Sequence, residues 1–459
     1  MKIIIVGAGQ VGSSAAHQLA RQEANEVTII DHDPAVLREL QDRLDVRTVV
    51  GHGAHPDTLE RAGAASCDML IAHTNSDEVN MVACEVAHRV FRVATKIARV
   101  RSGEYIGHEE LFAEDAIAVD VRISPEQLVT QYIQQLIRYP GAFQVLDFAD
   151  GRVRLVGVRA RRDGLLVNQR IRDLRTHIPN VEVRIAAIYR DGQSVPTEGD
   201  TLIRENDEVF FLAARNDIRT VMAEMRRLEP PVKRVVIAGG GNIGMRVAAA
   251  LEDTNNVKII ERDRARARRA SERLAKTIVL AGDAADENLL LEENIDTADV
   301  FIAVTNADEA NILSAMLAKD LGCRKVMALI NRPSYAEMME KSTIDVAISP
   351  QQITIGTLLA QARQGDMVKV HSLRRGRAEA IEAIAHGTPE TSKVVGKRID
   401  QIQLPPGTSI NVIVRDDDVM EAHHDTVVRA DDHVILFLTD RRQVDQVERL
   451  FQVNTRRFR

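Results

Sequence analysis

The chain has 459 residues, of which 28% are charged and 45% hydrophobic, and its formal net charge is −7. That length gives room for roughly three or four domains of ordinary size, and the acidic balance argues against broad nucleic-acid binding, which favours basic surfaces. No apolar run approaches the ~18–20 residues of a membrane helix, and residues 1–12 indicate a strand and a glycine loop rather than a signal peptide. We therefore expect a cytoplasmic protein whose contact with a membrane is peripheral.

Residues 1–140 alternate predicted strands with predicted helices. The strands are mostly apolar runs, as expected for a parallel sheet covered on both faces, and the repeated strand–helix–strand units predict a doubly wound sheet. Helices are predicted to begin at Pro34 behind an Asp33 cap and at Pro125 behind a Ser124 cap. The predicted strands cover residues 2–8, 27–31, 46–51, 68–74, 96–100 and 116–121.

The first strand runs into a GxGxxG loop, GAGQVG, at residues 7–12. In such a loop Gly7 permits the tight turn, Gly9 lets a pyrophosphate approach the backbone, and Gly12 lets the helix pack closely. The helix N-terminus offers unpaired N–H groups to phosphates, and Asp31 ends the second strand where it can bind ribose hydroxyls. An acidic residue there repels a 2′-phosphate, so the site is predicted to prefer NAD(H) to NADP(H). The other predicted contacts in the loop are Ala8, Gln10 and Val11.

Polar residues at the ends of three further strands are predicted to lie at the same edge of the sheet, where doubly wound sheets bind ligands. They are His52, Thr74, Asn75 and Arg99. Arg99 could neutralise pyrophosphate charge. Thr74 and Asn75 are equally suited to cap the helix that follows, and the two roles are compatible.

The rest of the chain repeats this plan. Residues 142–226 contain short β-rich runs separated by glycine turns, which predict a small α+β module with a late antiparallel hairpin. After a proline-containing linker, GGGNIG at 239–244 matches the first loop and AVTNADEAN at 303–311 matches residues 72–80. The repeat predicts an α/β protein with two Rossmann-like doubly wound parallel sheets, at 1–140 and 232–364, each followed by a small α+β domain, at 141–228 and 365–459.

The second Rossmann-like domain is predicted to carry a second nucleotide site. Its candidate residues are Gly239, Gly241, Asn242, Ile243, Gly244, Glu261, Asp283 and Thr305. The counterpart of Arg99 is Leu329, which removes a positive charge. Residues 262–269 contain five arginines, which could reach an extra phosphate, although a solvated helix face is the favoured reading.

We predict neither catalysis nor a metal site. The leading histidines of the first domain, His17, His32, His52 and His73, belong to no recognisable pattern with a carboxylate partner and a substrate-clamping arginine. Near the C-terminus, HH at 423–424 and DDD at 416–418 favour a solvated hairpin turn over a metal site. The cysteines, at positions 67, 84 and 323, have no CxxC spacing and are expected in the core.

The ordered motifs resemble the tandem RCK proteins that serve as cytoplasmic regulatory subunits of bacterial Trk potassium-uptake systems. The resemblance rests on IIIVGAGQVG at 3–12, IIDHD at 29–33, AHTNSDEVNM at 72–81 and ISPEQL at 123–128, with their counterparts in the second half, and it covers essentially the whole chain. It implies that the larger domains are RCK domains (also called KTN or TrkA-N) and that the smaller ones are RCK-C, or TrkA-C, domains.

The resemblance also implies a function. NAD(H) and, in this family, ATP or ADP would bind the RCK domains, with ATP or ADP expected at the second site. Such domains would self-associate into a dimeric or higher ring beneath a Trk-type membrane potassium transporter, and nucleotide binding would control its gate. The residues carried over are Gly7, Gly9, Gly12, Asp31, Arg99, Gly239, Gly241, Gly244, Glu261 and Asp283.

One departure from the family pattern concerns the residue after the third strand. The family usually has Gly-Asp there, as at Gly282-Asp283, whereas the first copy has Gly51-His52. The contact with the adenosine end of the ligand is therefore uncertain in the first domain, and it would become pH-sensitive with His52 facing the ligand.

Two other functions remain open at this stage. A soluble NAD-dependent oxidoreductase would contain the same glycine loops, and an RCK regulator could serve a different cation transporter, such as an efflux antiporter. Two complete copies without a predicted membrane segment favour the separate Trk subunit.

Overall fold

The computed structural model describes residues 1–21, 25–113, 115–339, 342–362, 367–373 and 378–453. The first sheet contains the strands β1 (Lys2–Val6), β2 (Glu26–Asp31), β3 (Arg47–Val50), β4 (Met69–Ala72), β5 (Thr95–Arg99) and β6 (Val121–Ile123). The helices between them are α1 (Gln10–Ala20), α2 (Pro34–Gln41), α3 (Pro56–Arg61), α4 (Asp77–Arg89) and α5 (Gly103–Ile106). The strands pair in parallel in the order β3-β2-β1-β4-β5-β6.

Both faces of this sheet are buried. Ile3 and Ile5 of β1 pack in one apolar cluster with side chains of α1, while Ile4 and Val6 pack in a second cluster with side chains of α4. The alternation follows from the period of two along a strand. It explains why the sequence of β1 is a continuous apolar run, and it confirms the predicted doubly wound sheet.

The prediction of the sixth strand was wrong in position. The strand covers Val121–Ile123 rather than residues 116–121. The earlier residues are apolar, but their backbone groups bond elsewhere: the N–H of Ile117 to the Leu111 carbonyl and that of Ala118 to the Glu85 carboxylate. Apolar composition alone did not show which residues pair with β5.

A second, antiparallel sheet follows. Its region contains α6 (Pro125–Arg138), β7 (Ala142–Phe148), β8 (Val153–Arg159), α7 (Leu174–His177), β9 (Val183–Arg190), β10 (Gln193–Val195), β11 (Glu208–Ala214) and α8 (Ile218–Met225). The strand order is β10-β9-β11-β8-β7. Strands β9 and β10 form a hairpin whose turn contains Asp191 and Gly192, both with positive φ.

The second half repeats the parallel sheet. Its strands are β12 (Arg234–Ala238), β13 (Asn256–Glu261), β14 (Ile278–Ala281), β15 (Val300–Ala303), β16 (Lys325–Leu329) and β17 (Val346–Ile348), in the order β14-β13-β12-β15-β16-β17. The helices are α9 (Asn242–Leu251), α10 (Arg264–Arg273), α11 (Glu287–Glu292), α12 (Asp308–Asp320), α13 (Pro333–Met338) and α14 (Pro350–Ala362). The identical strand order confirms the duplicated Rossmann-like architecture.

The last sheet is again antiparallel and contains β18 (Met367–Leu373), β19 (Ala378–Ile384), β20 (Thr408–Arg415), β21 (Asp418–Glu421) and β22 (His433–Leu438), followed by α15 (Val444–Phe451). It shares one apolar core with the first antiparallel sheet: Phe148 and Phe210 of the first sheet pack in the same cluster as Ile435 and Phe437 of the last. The two small modules therefore bury their apolar faces together.

The chain packs as two compact units, Met1–Leu128 with Gln351–Arg363, and Val129–Pro350 with Gln364–Arg459. Ile355, Leu358 and Leu359 of α14 belong to the same apolar cluster as Ile3 and Leu19 of the first unit. Helix α14 therefore completes the first unit, although the sequence repeat assigns it to residues 232–364. The predicted domain boundaries follow the sequence repeat, and they stay a prediction because the compact units are divided differently.

Within the described ranges, no helix is both long enough and apolar enough to span a membrane.

Candidate functional sites

The first glycine loop follows β1, at the point where the strand order reverses. From β1 the chain adds β2 and β3 on one side, and β4, β5 and β6 lie on the other side. Gly7 has a φ of +103°, and a Cβ there would lie 2.7 Å from the carbonyl oxygen of His73. A Cβ on Gly12 would lie 1.9 Å from the carbonyl oxygen of Gly7. Both positions therefore require glycine for backbone packing alone, at the point of the sheet where such folds bind ligands.

Gly9 differs from these two glycines because nothing in the described structure lies within 4 Å of the position its Cβ would take. It caps α1 without a side-chain hydrogen bond to the helix, and its carbonyl accepts from the N–H of Ser13. Among the described residues, the N–H groups of Gln10, Val11 and Gly12 find no acceptor. Open space in front of unpaired helix N–H groups suits a phosphate.

Asp31 is already bonded to the loop. One carboxylate oxygen accepts from the N–H of Ala8 at 2.7 Å and the other from the N–H of Asp33 at 2.9 Å, with the His32 ring nitrogen 3.2 Å away. Each oxygen can accept a further bond. The carboxylate therefore fixes the loop against the end of β2 and keeps acceptor capacity for a hydroxyl.

Thr74 and Asn75 do not cap α4; the Ser76 hydroxyl does, accepting from the N–H of Val79 at 3.2 Å. The Thr74 hydroxyl instead donates to Oδ1 of Asn80 at 2.7 Å. Asn75 is exposed, and its carbonyl accepts from Arg101.

Arg99 is held beside Thr74, to whose carbonyl its Nη1 donates at 3.1 Å, and its other terminal nitrogen lies 3.9 Å from Glu126. Its Nε is buried and finds no partner among the described residues. Burial and then the Arg101 charge lower the pKa of Arg99 from its ordinary value. The guanidinium therefore keeps a buried, unpaired donor, and the cost of burying its charge would be offset by an anion bound nearby.

His52 is exposed and stacks on His55, with ring centroids 4.6 Å apart. Its Nδ1 accepts weakly from the N–H of Ala54 at 3.4 Å, whereas its counterpart Asp283 accepts from the N–H of Ala285 at 2.9 Å. The two residues thus occupy the same turn, and His52 makes the longer bond.

The second glycine loop has the same geometry. Gly239 has a φ of +109°, a Cβ on Gly244 would lie 1.9 Å from the carbonyl oxygen of Gly239, and around the Cβ position of Gly241 the described structure is empty to 4 Å. Gly241 caps α9, where Asn242 is exposed and Ile243 is half-buried.

Glu261 is held like Asp31. Its oxygens accept from the N–H groups of Gly240 and Asp263, each at 2.8 Å. It is more deeply buried, with 8% of its side chain exposed against 14% for Asp31, and Arg266 Nε lies 3.6 Å from it. The arginine-rich segment is largely solvent-exposed, which confirms the predicted solvated helix face.

An asparagine missed by the sequence reasoning organises each strand edge. Asn80 is fully buried and bonds the Thr74 N–H at 2.8 Å and the Arg99 carbonyl at 3.0 Å. Asn311 makes the same bonds to Thr305 and to the carbonyl of Leu329. A signal was available, because this asparagine ends the duplicated nine-residue motif.

Gln351 is a second missed residue. Its side-chain amide donates to the Gln10 carbonyl and to the Ser14 hydroxyl, although 341 residues separate it from Gln10. Both ends of this contact belong to the first unit. The start of α14 therefore lies against the first helix of the first glycine loop, and nothing local in the sequence indicates this.

The remaining reactive residue types are placed as follows. His17 is exposed, whereas His73 is buried and its pKa is lowered to about 4, first by burial and then by the Arg99 charge. Cys67, Cys84 and Cys323 are buried free thiols whose pKa values are raised by burial. In the described part of the chain, no group of three or more His, Cys, Asp or Glu could hold a metal ion.

The fold and its loops define a tandem protein with two dinucleotide-type domains and two antiparallel modules. The family model of the TrkA-N domain matches residues 3–125 and 235–350, and that of the TrkA-C domain matches residues 155–226 and 388–452. The chain belongs to the TrkA family of Trk-system potassium uptake proteins.

Two relatives with the name "Trk system potassium uptake protein TrkA" are similar over nearly their whole length. The protein from Halomonas elongata is 56% identical over 99% of both chains, and that from Vibrio alginolyticus is 54% identical over 98% of this chain and 99% of its own. Among solved structures, the GsuK channel bound to NAD has a TM-score of 0.61 at 17% identity, covering 98% of this chain and 78% of that chain. At that identity, the likeness supports the fold.

Proposed function

We propose that this chain is a non-catalytic, nucleotide-sensing regulatory subunit of a Trk-type membrane potassium transporter, acting at the cytoplasmic face of the membrane. The potassium-uptake assignment is supported by the names of its full-length relatives. The nucleotide assignment rests on one observation above all: an open position at Gly9 in front of helix N–H groups for which the described chain offers no acceptor.

The residues of the first loop fit NAD(H). The N–H groups of Gln10, Val11 and Gly12 would receive the pyrophosphate, whose charge the α1 dipole and Arg99 would balance. Asp31 would accept from the ribose hydroxyls while keeping its bond to the Ala8 N–H. Bound NAD(H) would supply negative charge and bulk at this edge, not a reaction.

The same groups fit the second loop at Gly241, Gly244 and Glu261, without the counterpart of Arg99. We assign ATP or ADP, together with NAD(H), to this second site. His52 and Asp283 would lie at the adenosine ends of the two sites, and Thr74, Asn75 and Thr305 at the adjoining strand ends.

Gating follows if each nucleotide binds one conformation of a ring of such domains better than another. A shift from mostly closed to mostly open requires a large difference in affinity, about 10⁴-fold for a 1:99 to 99:1 change. Several bound nucleotides in one ring could share that requirement. The chain would therefore act as a dimer or a higher assembly beneath its membrane partner.

Calorimetric titration of the full chain with NADH, NAD, ATP and ADP tests the sites. We expect saturable binding at one or two sites per chain. Asp31→Asn should weaken NADH binding at the first site by about tenfold, through loss of a charged acceptor, and Glu261→Gln should do the same at the second. Each amide keeps one oxygen for the N–H of Ala8 or Gly240 and loses the bond to Asp33 or Asp263, so the thermal midpoint of each variant is measured beside its binding. If both variants bind NADH as the wild type does, the site assignment is wrong.

Potassium uptake tests the role. In cells that lack their own regulatory subunit, the chain should restore uptake through a Trk-type transporter, and the Asp31→Asn variant should restore less. A steady, substrate-dependent change in nicotinamide absorbance by the purified chain would instead indicate an oxidoreductase. Restored efflux without uptake would indicate a different transporter partner.

A further inference from the structure

The acidic residue that ends the second strand has different neighbours in the two Rossmann-like domains. In the second domain, Arg266 Nε lies 3.6 Å from Glu261 Oε1. In the first, the neighbour of Asp31 is the ring of His32 at 3.2 Å. The carboxylate is thus accompanied by a permanent positive charge in the second domain and by a titratable group in the first.

The segments that follow these acids differ more widely. Residues 261–269 contain two acidic residues and five arginines, whereas residues 31–39 contain three acidic residues and one arginine. Arg262 and Arg266 are exposed on the segment that follows Glu261. The formal charge of the segment is therefore +3 in the second domain, from five arginines and two acids, and −2 in the first, from one arginine and three acids.

This position decides which dinucleotide a doubly wound domain accepts. An unaccompanied acid repels a 2′-phosphate, while a nearby arginine accommodates it. The backbone bonds of the two acids are alike, since both oxygens of Glu261 and both oxygens of Asp31 accept from N–H groups, so the difference between the domains is the arginine beside Glu261. Arg266 lies beside Glu261 and Arg262 follows it in the chain, and each guanidinium has the donors to bind a phosphate at two points.

We propose that the second domain also binds adenosine nucleotides that carry a 2′-phosphate, the NADP(H) class, whereas the first domain excludes them. Arg262 and Arg266 bind the 2′-phosphate, and Arg266 keeps the Glu261 charge from repelling it. This inference rests on the proposed function, because it requires that the glycine loops bind nucleotides. It makes the protein a reporter of two dinucleotide pools.

The assay is calorimetric titration of the full chain with NADPH and, separately, with NADH. To separate the two sites, the variant Gly9→Val or Gly241→Val blocks one glycine loop with a side chain. Because both positions have open space and an extended backbone, we expect each variant to fold. We expect the wild type to bind NADPH at one site. The Gly9→Val variant should keep this binding, and the Gly241→Val variant should lose it.

Arginine variants in the Gly9→Val background test the residues. Arg266→Ala should weaken NADPH binding by at least about tenfold, with NADH binding changed by less than about twofold. The matched control is Arg268→Ala. The Arg268 side chain pairs with Glu272 at 3.0 Å, and because Arg268 is two residues after Arg266 it lies on the opposite side of α10. The control should bind both nucleotides as its parent does.

Three results would overturn the inference. NADH binding at both sites with no NADPH binding would refute it and leave the proposed function standing. The inference would also be refuted if Gly9→Val abolished NADPH binding while Gly241→Val kept it. An equal loss of NADH and NADPH binding in Arg266→Ala would refute it as well. If neither dinucleotide binds, the proposed nucleotide-sensing function fails together with this inference.

Discussion

The two parallel-sheet domains have the same backbone at their glycine loops and different charges around them. In both, the first and last glycines are required by close backbone approaches, the middle glycine faces open space, and an acid ties the loop to the end of the second strand. Around this shared frame, Arg99 is replaced by Leu329, and His52 by Asp283.

The comparison shows which features belong to the fold and which to the ligand. Features present in both copies with the same bonds, such as Asn80 and Asn311, hold the strand ends together. Features that differ, such as Arg99 and Arg266, change the potential without changing the backbone. Each exchange between the copies is therefore a matched experiment.

The largest effect should come from Gly12→Ala. Its Cβ would lie 1.9 Å from the Gly7 carbonyl oxygen, so the loop or α1 must move. We expect a loss of about 3 kcal/mol or more in the unfolding free energy of the first domain, measured as a lower thermal midpoint.

The control for that variant is Gly9→Ala, which meets nothing in the described structure. It should lower the unfolding free energy by no more than about 1 kcal/mol, because glycine is preferred to alanine at an N-cap, and it should weaken NADH binding. Gly244→Ala and Gly241→Ala should reproduce the pair in the second domain. Equal destabilisation by the Gly9 and Gly12 variants would contradict this account of the loop.

His73→Val should change the pH dependence of stability, because Val304 occupies the same position in the second copy and both residues donate an N–H to the first strand. The pKa of His73 falls from 6.5 to about 4 on folding. Between those values the unfolded chain binds more protons, so His73 makes the protein less stable as the pH falls from about 6.5 to 4.

We therefore expect the stability of His73→Val, relative to the wild type, to rise by about 2 kcal/mol between pH 7 and pH 5. Denaturant unfolding at both pH values measures this. Val304→Ala serves as the control, because it changes the packing at the matching position without removing a titratable group, and its difference from the wild type should not depend on pH. A pH-independent difference for His73→Val would show that His73 does not titrate in this window.

Arg99→Leu gives the first site the residue of the second. It removes the positive charge that Arg99 holds at the Thr74 carbonyl, next to the first glycine of the loop. NADH affinity of the first site should fall by about tenfold in calorimetry. Arg89→Leu, which removes an exposed arginine paired with Glu85, should leave it unchanged. Unaltered binding by the Arg99 variant would mean that this arginine serves only the strand edge.

The smallest effect is expected for His52→Asp, which gives the first copy the residue found at the matching position of the second. The bond to the Ala54 N–H should shorten toward the 2.9 Å seen between Ala285 and Asp283. A gain of about 0.5 kcal/mol in stability follows, detectable as a small rise in the thermal midpoint. The reverse exchange, Asp283→His, should lower it by a similar amount, and a loss in both would refute the equivalence of the two turns.

The sequence by itself determined the duplicated α/β architecture and the positions of the glycine loops. Both are local signals: apolar runs for buried parallel strands, glycines where φ is positive or backbones touch, and a proline after an aspartate cap at α2. Repetition reinforced each of them. The same local rules placed the sixth strand several residues too early, because pairing with β5 depends on register rather than on composition.

Only the tertiary structure decided what each polar residue does. It showed that Asn80 ties two strand ends, that the Thr74 hydroxyl is committed to it, and that Gln351 contacts α1 from 341 residues away. It also showed that α14 packs with the first unit and that the two small modules share one core. Such contacts depend on how distant segments pack, and no period or spacing along a chain carries that information.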